Sequence, residues 1–240
     1  MRGARLAALA LAAVALAGCE TTQEKAARLR RQEKRLAVSQ RGLSIGHRSS
    51  DVVVLGAAIV HDSERAAAVI TLRNRSASTL RAVPIAITVK SAAGRTVFQN
   101  NAPGLESALV SVPSIAAYAT VVWVDDQLQT SAAPARVSAE VGEAPTVAEA
   151  PPELAISAAR ITEDPANGTV ATGTVANRSK VAQSSFAVFA VARRGGAIVA
   201  AGRAIVPELA AGASAPFQAS LVGQASGARL LLYAPPASFG

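Results

Sequence analysis

Cysteine occurs once in the 240 residues, histidine twice, and tryptophan and methionine once each. A single cysteine excludes a disulfide framework within the chain. One thiol and two imidazoles leave little material for a metal site or for thiol catalysis. Aromatic residues amount to only 3%, while half of the chain is hydrophobic, which argues against a disordered polymer. The length allows one or two ordinary domains, each able to bury a core. The chain contains no zinc-type ligand cluster, nucleophile elbow, phosphate loop or dinucleotide fingerprint. No metal, no cofactor and no catalytic residue is expected.

Acidic residues are also scarce, 16 against 24 Lys and Arg, for a formal charge of +8 and a pI near 10.7. Such a balance suggests a nucleic-acid partner until the charges are located. Residues 1–48 hold ten bases and three acids, a net of +7, while the other 192 residues hold 14 and 13. The basic character is therefore confined to an N-terminal arm.

That arm begins with Met1-Arg2-Gly3-Ala4-Arg5, followed by an apolar run of Leu, Ala and Val from Leu6 to Leu16. A charged start, an apolar stretch too short to span a bilayer and a small-residue cleavage site are the parts of a secretory signal peptide. Leu16-Ala17-Gly18-Cys19 follows and resembles the bacterial lipobox at all four positions. The resemblance implies cleavage ahead of Cys19 and acylation of its thiol. Two or three acyl chains anchor a protein stably, whereas one binds marginally. The expected location is the outer face of the bacterial cytoplasmic membrane or the outer membrane, away from genomic DNA, so no nucleic-acid partner is expected.

Residues 20–41 lack Gly and Pro and are rich in helix formers. Thr21 or Thr22 can cap a helix and Gly42 can end it. Lys25, Arg28, Arg30, Arg31, Lys34 and Arg35 then offer a contact for anionic lipid or an anionic envelope polymer, at about 1 kcal/mol per charge near a membrane surface. The other reading is a solvated spacer that holds the folded part off the membrane.

From residue 51 the pattern becomes alternating and β-branched. Val52–Leu55, Ala67–Leu72, Pro84–Val89 and Ala119–Val124 read as strands, separated by turn signals at 61–63, 74–76 and 93–95. Short strands without long helices between them indicate antiparallel β-sandwiches. The second half repeats the first. Ile59–Asp62 corresponds to Ile161–Asp164, Thr71–Ser76 to Thr174–Ser179, and Pro113 and Trp123 to Pro207 and Phe217. The offset is 102–103 early and 94 late, so the first copy carries extra residues around Asn100 to Val110. The expected organisation is a signal peptide (1–18), a lipidated Cys and basic helical spacer (19–50), a first sandwich (51–143), a Pro-rich linker (144–152), a second sandwich (153–235) and a tail (236–240).

Val175–Ser179, the Gly196–Val199 hairpin and the Pro216–Leu221 strand make these copies resemble FxLYD-type immunoglobulin-like modules of bacterial envelope lipoproteins. The naming motif itself is absent, and Trp123 stands where the second copy has Phe217. The resemblance implies two tandem immunoglobulin-like sandwiches used for binding or spacing, and carries no catalytic residue.

The remaining chemistry is thin. His61 sits beside Asp62 in an expected turn, without the supporting partners a general base needs. Asp125-Asp126 reads as a turn or an exposed edge rather than an acid pair, since adjacent strand residues point to opposite sides. Three Asn-x-Ser/Thr matches, at Asn74, Asn167 and Asn177, read as strand-end and turn residues, because Asn tolerates the left-handed region and bonds its own backbone. Trp123 and Phe217 read as core anchors. Insertions on a repeated scaffold often carry function, so Asn100, Asn101, Pro103 and Leu105 are the candidate interaction loop. The expected function is a non-catalytic structural or protein-interaction lipoprotein of the cell envelope, with an envelope protein as partner. The alternative is a solute- or glycan-binding lipoprotein, which a deep apolar pocket between the domains would favour.

Overall fold

The computed structural model describes residues 42–240, and it is mainly β with every strand pair antiparallel. The first copy contains β1 (Val52–His61), β2 (Ala66–Asn74), β3 (Thr79–Ser91), β4 (Thr96–Gln99), the one-turn helix α1 (Ser107–Val110), β5 (Ser111–Ile115), β6 (Thr120–Leu128), β7 (Pro134–Val141) and β8 (Thr146–Val147). The second contains β9 (Leu154–Asp164), β10 (Gly168–Asn177), β11 (Gln183–Arg194), β12 (Ala197–Leu209), β13 (Ser214–Ser220), β14 (Val222–Gly223) and β15 (Arg229–Tyr233).

Each copy pairs a three-stranded sheet with a larger one. In the first, β1-β2-β6 faces a sheet in which the long β3 takes β4 and β5 on one edge and β7 and β8 on the other. In the second, β9-β10-β13 faces β14-β12-β11-β15. Within the stretch read as a linker, Thr146–Val147 is β8 itself, pairing with Thr79 and Leu80. Residues 42–50 also belong to the first copy, through a bridge from Arg48 to Gly142 and a bond from Ser49 N to Val141 O.

The irregularities repeat along with the strands. Leu55 is the extra residue of a bulge in β1, and Ala158 and Ala159 bulge opposite Gly173, a residue or two further along β9. Ala82 lies opposite Pro113 and Ser185 opposite Pro207, and both are left-handed, with φ of 46° and 44°. Proline offers no N–H to the ladder, so the backbone facing it is released from regular pairing in both copies.

The core is aliphatic. Ile70, Leu72, Val83, Ile85, Ile87 and Trp123 fill the first sandwich, and Ala171, Val175, Phe186, Val188 and Phe217 the second. Trp123 is fully buried and donates from Nε1 to Ala108 O at 2.8 Å, which ties α1 to the sheet opposite. Phe217 is buried over Gly173, its cross-strand partner. Both aromatics are core anchors, and their faces are closed to ligands.

The two copies are joined face to face. Strand β12 lies over β1, β2 and β6, and the apolar cluster of the first sandwich continues into Ala187, Phe189, Val191, Ala201 and Val222 of the second. Alternation explains the sharing. Even-numbered residues of β11 point into their own sandwich, whereas Ala187, Phe189 and Val191 point at the first copy. With both faces covered, β11 is apolar without a break from Phe186 to Ala192.

Candidate functional site

Cys19, the lipobox residues Leu16, Ala17 and Gly18, and the arm cations Lys25, Arg28, Arg30, Arg31, Lys34 and Arg35 lie outside the described residues. Within residues 42–240 the polar chemistry collects at three places: the strand-end asparagines, the inserted loop, and the seam between the copies.

Asn74 and Asn177 end β2 and β10 and are both buried. Asn74 Nδ2 donates to the carbonyls of Ser78, Ile115 and Ala116 at 2.8, 3.2 and 3.0 Å, while Oδ1 accepts from Ser76 N and Oγ at 2.9 and 2.8 Å. Asn177 repeats every contact, to Val181, Leu209 and Ala210 at 2.8, 3.3 and 3.2 Å, and from Ser179 N and Oγ at 3.1 and 2.7 Å. Neither Asn is left-handed. The reason for Asn here is its amide, which satisfies both neighbouring loops where the ladder ends, and not the backbone freedom expected from the sequence. Asn167 is exposed in the β9–β10 turn, where Asp164 Oδ1 accepts from its backbone and side-chain N–H at 2.9 Å each.

The inserted loop divides by burial. Asn100 is only 1% exposed, so it is not part of a contact surface. In the second copy β12 runs unbroken beside β11; in the first, the equivalent edge of β3 is interrupted between β4 and β5. Asn100 fills that gap. Its Oδ1 accepts from Ile87 N at 2.7 Å, and its Nδ2 donates to Ile85 O at 2.9 Å and Leu109 O at 2.8 Å. One amide side chain thus replaces the missing strand. Asn101 and Pro103 are exposed and Leu105 is half-buried. Gly42 passes so close to the Asn101 carbonyl that no side chain would fit there.

The loop also reaches the second copy. Glu106 Oε2 accepts from both terminal nitrogens of Arg203 at 3.1 Å each. Asp126 takes the rest of that arginine, with Oδ1 at 2.9 Å from Nε and Oδ2 at 3.0 Å from the backbone N–H. The Arg203 side chain is 4% exposed, Asp126 15% and Glu106 61%. On the same seam, Arg65 donates to Leu221 O at 3.2 Å, and Ser114 Oγ donates to Pro236 O at 2.7 Å. The tail beyond Tyr233 is held by buried Gln183, whose Oε1 accepts from Ala237 N and Ser238 N at 3.0 and 3.1 Å.

Asp125 and Asp126 are therefore neither a turn nor an exposed edge. They lie in β6 at a bulge facing β2, with Asp126 on the seam and Asp125 1% exposed. Burial pushes the Asp125 carboxyl up to about 6, and the adjacent Asp126 charge adds to this, against the pull of the Gln127 N–H and of Arg203. The structure does not bring the histidines to either acid cluster: His47 and His61 are both exposed, and Asp62 caps Glu64 N and Arg65 N at 2.9 and 2.8 Å. Among the described residues no group of three or more His, Cys, Asp or Glu could hold a metal ion.

Arg203, Glu106 and Phe189 were not singled out from the sequence. The signal for the seam was the continuous apolar run of β11 and its counterpart Val121–Val124, each too apolar for a strand with one face in water. No protein-family model matches the chain, and no curated protein matches it.

Proposed function

We propose that the chain is a lipid-anchored lipoprotein of the bacterial cell envelope, acting as a non-catalytic interaction or spacing module outside the cytoplasm. The observation that carries this reading is Leu16-Ala17-Gly18-Cys19, placed directly after a charged start and a short apolar run, with the chain's one cysteine at the acylation position. In this reading the two sandwiches are immunoglobulin-like modules of FxLYD type, and the basic arm sits between anchor and body. Two features of the body support a structural role. The largely buried Asp126–Arg203 ion pair joins the two copies, and the seam where a solute pocket would form is filled by Ala187, Phe189, Val191, Val122 and Val124.

The test is metabolic labelling of cells with a palmitate analogue. The wild-type chain incorporates label and fractionates with membranes, and Cys19→Ser does neither. Equal labelling of the two proteins overturns the anchor. Sedimentation of the full chain with anionic vesicles separates the two readings of the arm, since attraction by Arg28, Arg30, Arg31 and Arg35 fades as salt screens it.

A further inference from the structure

The two copies share a fold plan but differ at one loop end, and the difference is confined to exposed side chains. In the second copy, the turn before β13 is closed by Ala213 N to Ala210 O at 3.1 Å and carries Gly212 at φ 72°. Glycine is the residue that position calls for. In the first copy the same turn is closed by Ala119 N to Ala116 O at 3.1 Å, but the left-handed position, φ 55°, holds Tyr118. Its side chain is 60% exposed, so no burial offsets the strain.

The ring stands on a rigid base. Tyr118 N donates to Ser76 O at 3.2 Å, Asn74 N donates to Ala119 O at 3.0 Å, and the buried Asn74 amide holds Ala116 O. Two arginines lie close in the backbone: Arg73 pairs across the sheet with Thr120, two residues after Tyr118, and Arg75 precedes Ser76, whose carbonyl accepts from Tyr118 N. Both are exposed, and neither forms an ion pair with the described residues. Their counterparts are Ala176 and Arg178; Arg178 pairs with Glu153 at 3.1 Å, whereas Asp51, at the position of Glu153, meets Arg75 through its carbonyl, which accepts from Arg75 N at 2.7 Å.

We propose that Tyr118, Arg73 and Arg75 form a binding site for a carboxylate-bearing glycan, the Tyr ring taking a sugar face and the guanidinium forks its carboxylates. An aromatic ring with a polar tip suits a saccharide, and guanidinium pairs with carboxylate in a directional, bidentate way. A fixed backbone beneath the ring limits the freedom lost on binding. Val54 and Leu55 are exposed on the neighbouring β1, where Val53 pairs with Arg73, so anionic vesicles serve as the competing probe. The proposal relies on the extracytoplasmic placement above only for where such a glycan is met.

The test is calorimetric titration of the purified full chain in detergent with a tetrasaccharide of alternating N-acetylglucosamine and N-acetylmuramic acid. Saturable binding is expected, weakened about tenfold by Tyr118→Gly, by the Arg73→Gln/Arg75→Gln pair, and by reducing the probe's carboxylates to alcohols. The melting temperature of Tyr118→Gly stays at or above that of the wild type, since glycine fits this backbone. No saturable binding by the wild type, or unchanged affinity in Tyr118→Gly or for the reduced probe, overturns the proposal. Tyr118-dependent binding to phosphatidylglycerol vesicles without glycan binding also overturns it. The titration is independent of acylation, so its failure and a failure of the Cys19 labelling are separate results.

Discussion

Asp125 makes the stability of the body depend on pH in a direction opposite to that of an ordinary surface carboxylate. The group is 1% exposed, it accepts a hydrogen bond from Gln127 N at 3.0 Å, and its pKa rises from 3.8 to about 6 because burial disfavours the charge. A carboxyl whose pKa is higher in the folded state binds its proton more tightly there. Its contribution is complete below pH 3.8, declines as pH rises, and is lost above about 6. At 1.36 kcal/mol per unit, the change across that window is about 3 kcal/mol. Asp125→Asn keeps the shape and the oxygen that accepts the Gln127 N–H, and it does not titrate. Urea unfolding of both proteins from pH 3.5 to 8 gives the stability difference at each pH. Any constant penalty for the amide shifts the whole curve, and other carboxylates cancel between the two proteins. The difference should move by about 3 kcal/mol in favour of the variant between pH 3.8 and the upper end of the titration. Parallel profiles would refute the assignment of a buried, proton-holding Asp125.

The seam clasp should be unequal in its parts. Arg203→Met leaves Asp126 largely buried without its partner and lowers stability by about 2–3 kcal/mol, whereas Glu106→Gln, at an exposed carboxylate, lowers it by less than about 1 kcal/mol in the same denaturant titration. Asn74→Ala and Asn177→Ala each remove the amide donor to three carbonyls, of which Ala116 O and Ala210 O keep the turn bonds from Ala119 N and Ala213 N, and lower stability by about 2–3 kcal/mol; because the two networks match contact for contact, a large disparity between the variants would contradict their equivalence. Trp123→Phe strands Ala108 O, at about 1–2 kcal/mol, and leaves a small cavity that adds to this, and amide exchange should speed up over 107–110 before it does elsewhere.

The parts of this fold that were legible in the sequence are those governed by local pattern. Alternation located the strands, and the offset between Asn74 and Asn177 exposed the repeat, because both residues answer the same need at the end of the same strand. The seam was not legible in that way. Alternation distinguishes one covered face from one wet face, and β11 has two covered faces, so its uninterrupted run from Phe186 to Ala192 signals double burial without naming what covers the second face. Asn100 misled for a related reason. A polar residue opening a Pro/Gly-containing insertion looks like a loop residue, and its burial follows from a gap in the β3 ladder that only the three-dimensional pairing reveals. Asp125 and Asp126 read as an edge because their shelter comes from elsewhere in the fold, Asp126 from Arg203 of the other copy and Asp125 from the interior of its own sandwich.

The equivalence of the copies also shows that their docking faces are not interchangeable. The face of β2 and β6 that receives the second copy presents Val69, Val122 and Val124; the equivalent positions on β10 and β13 are Thr172, Pro216 and Gln218. The face of β11 that docks presents Ala187, Phe189 and Val191; the equivalent positions on β3 are Pro84, Ala86 and Thr88. Each apolar surface thus occurs only on the side where a neighbour covers it, and the same scaffold carries small or polar side chains where water takes its place. Repeat arrays need polar faces where no neighbour covers them to stay soluble. A third unit would find Thr172, Pro216 and Gln218 where β12 found valines, losing the apolar burial that joins the first two. The seam is therefore encoded twice, by what the touching faces contain and by what their counterparts lack.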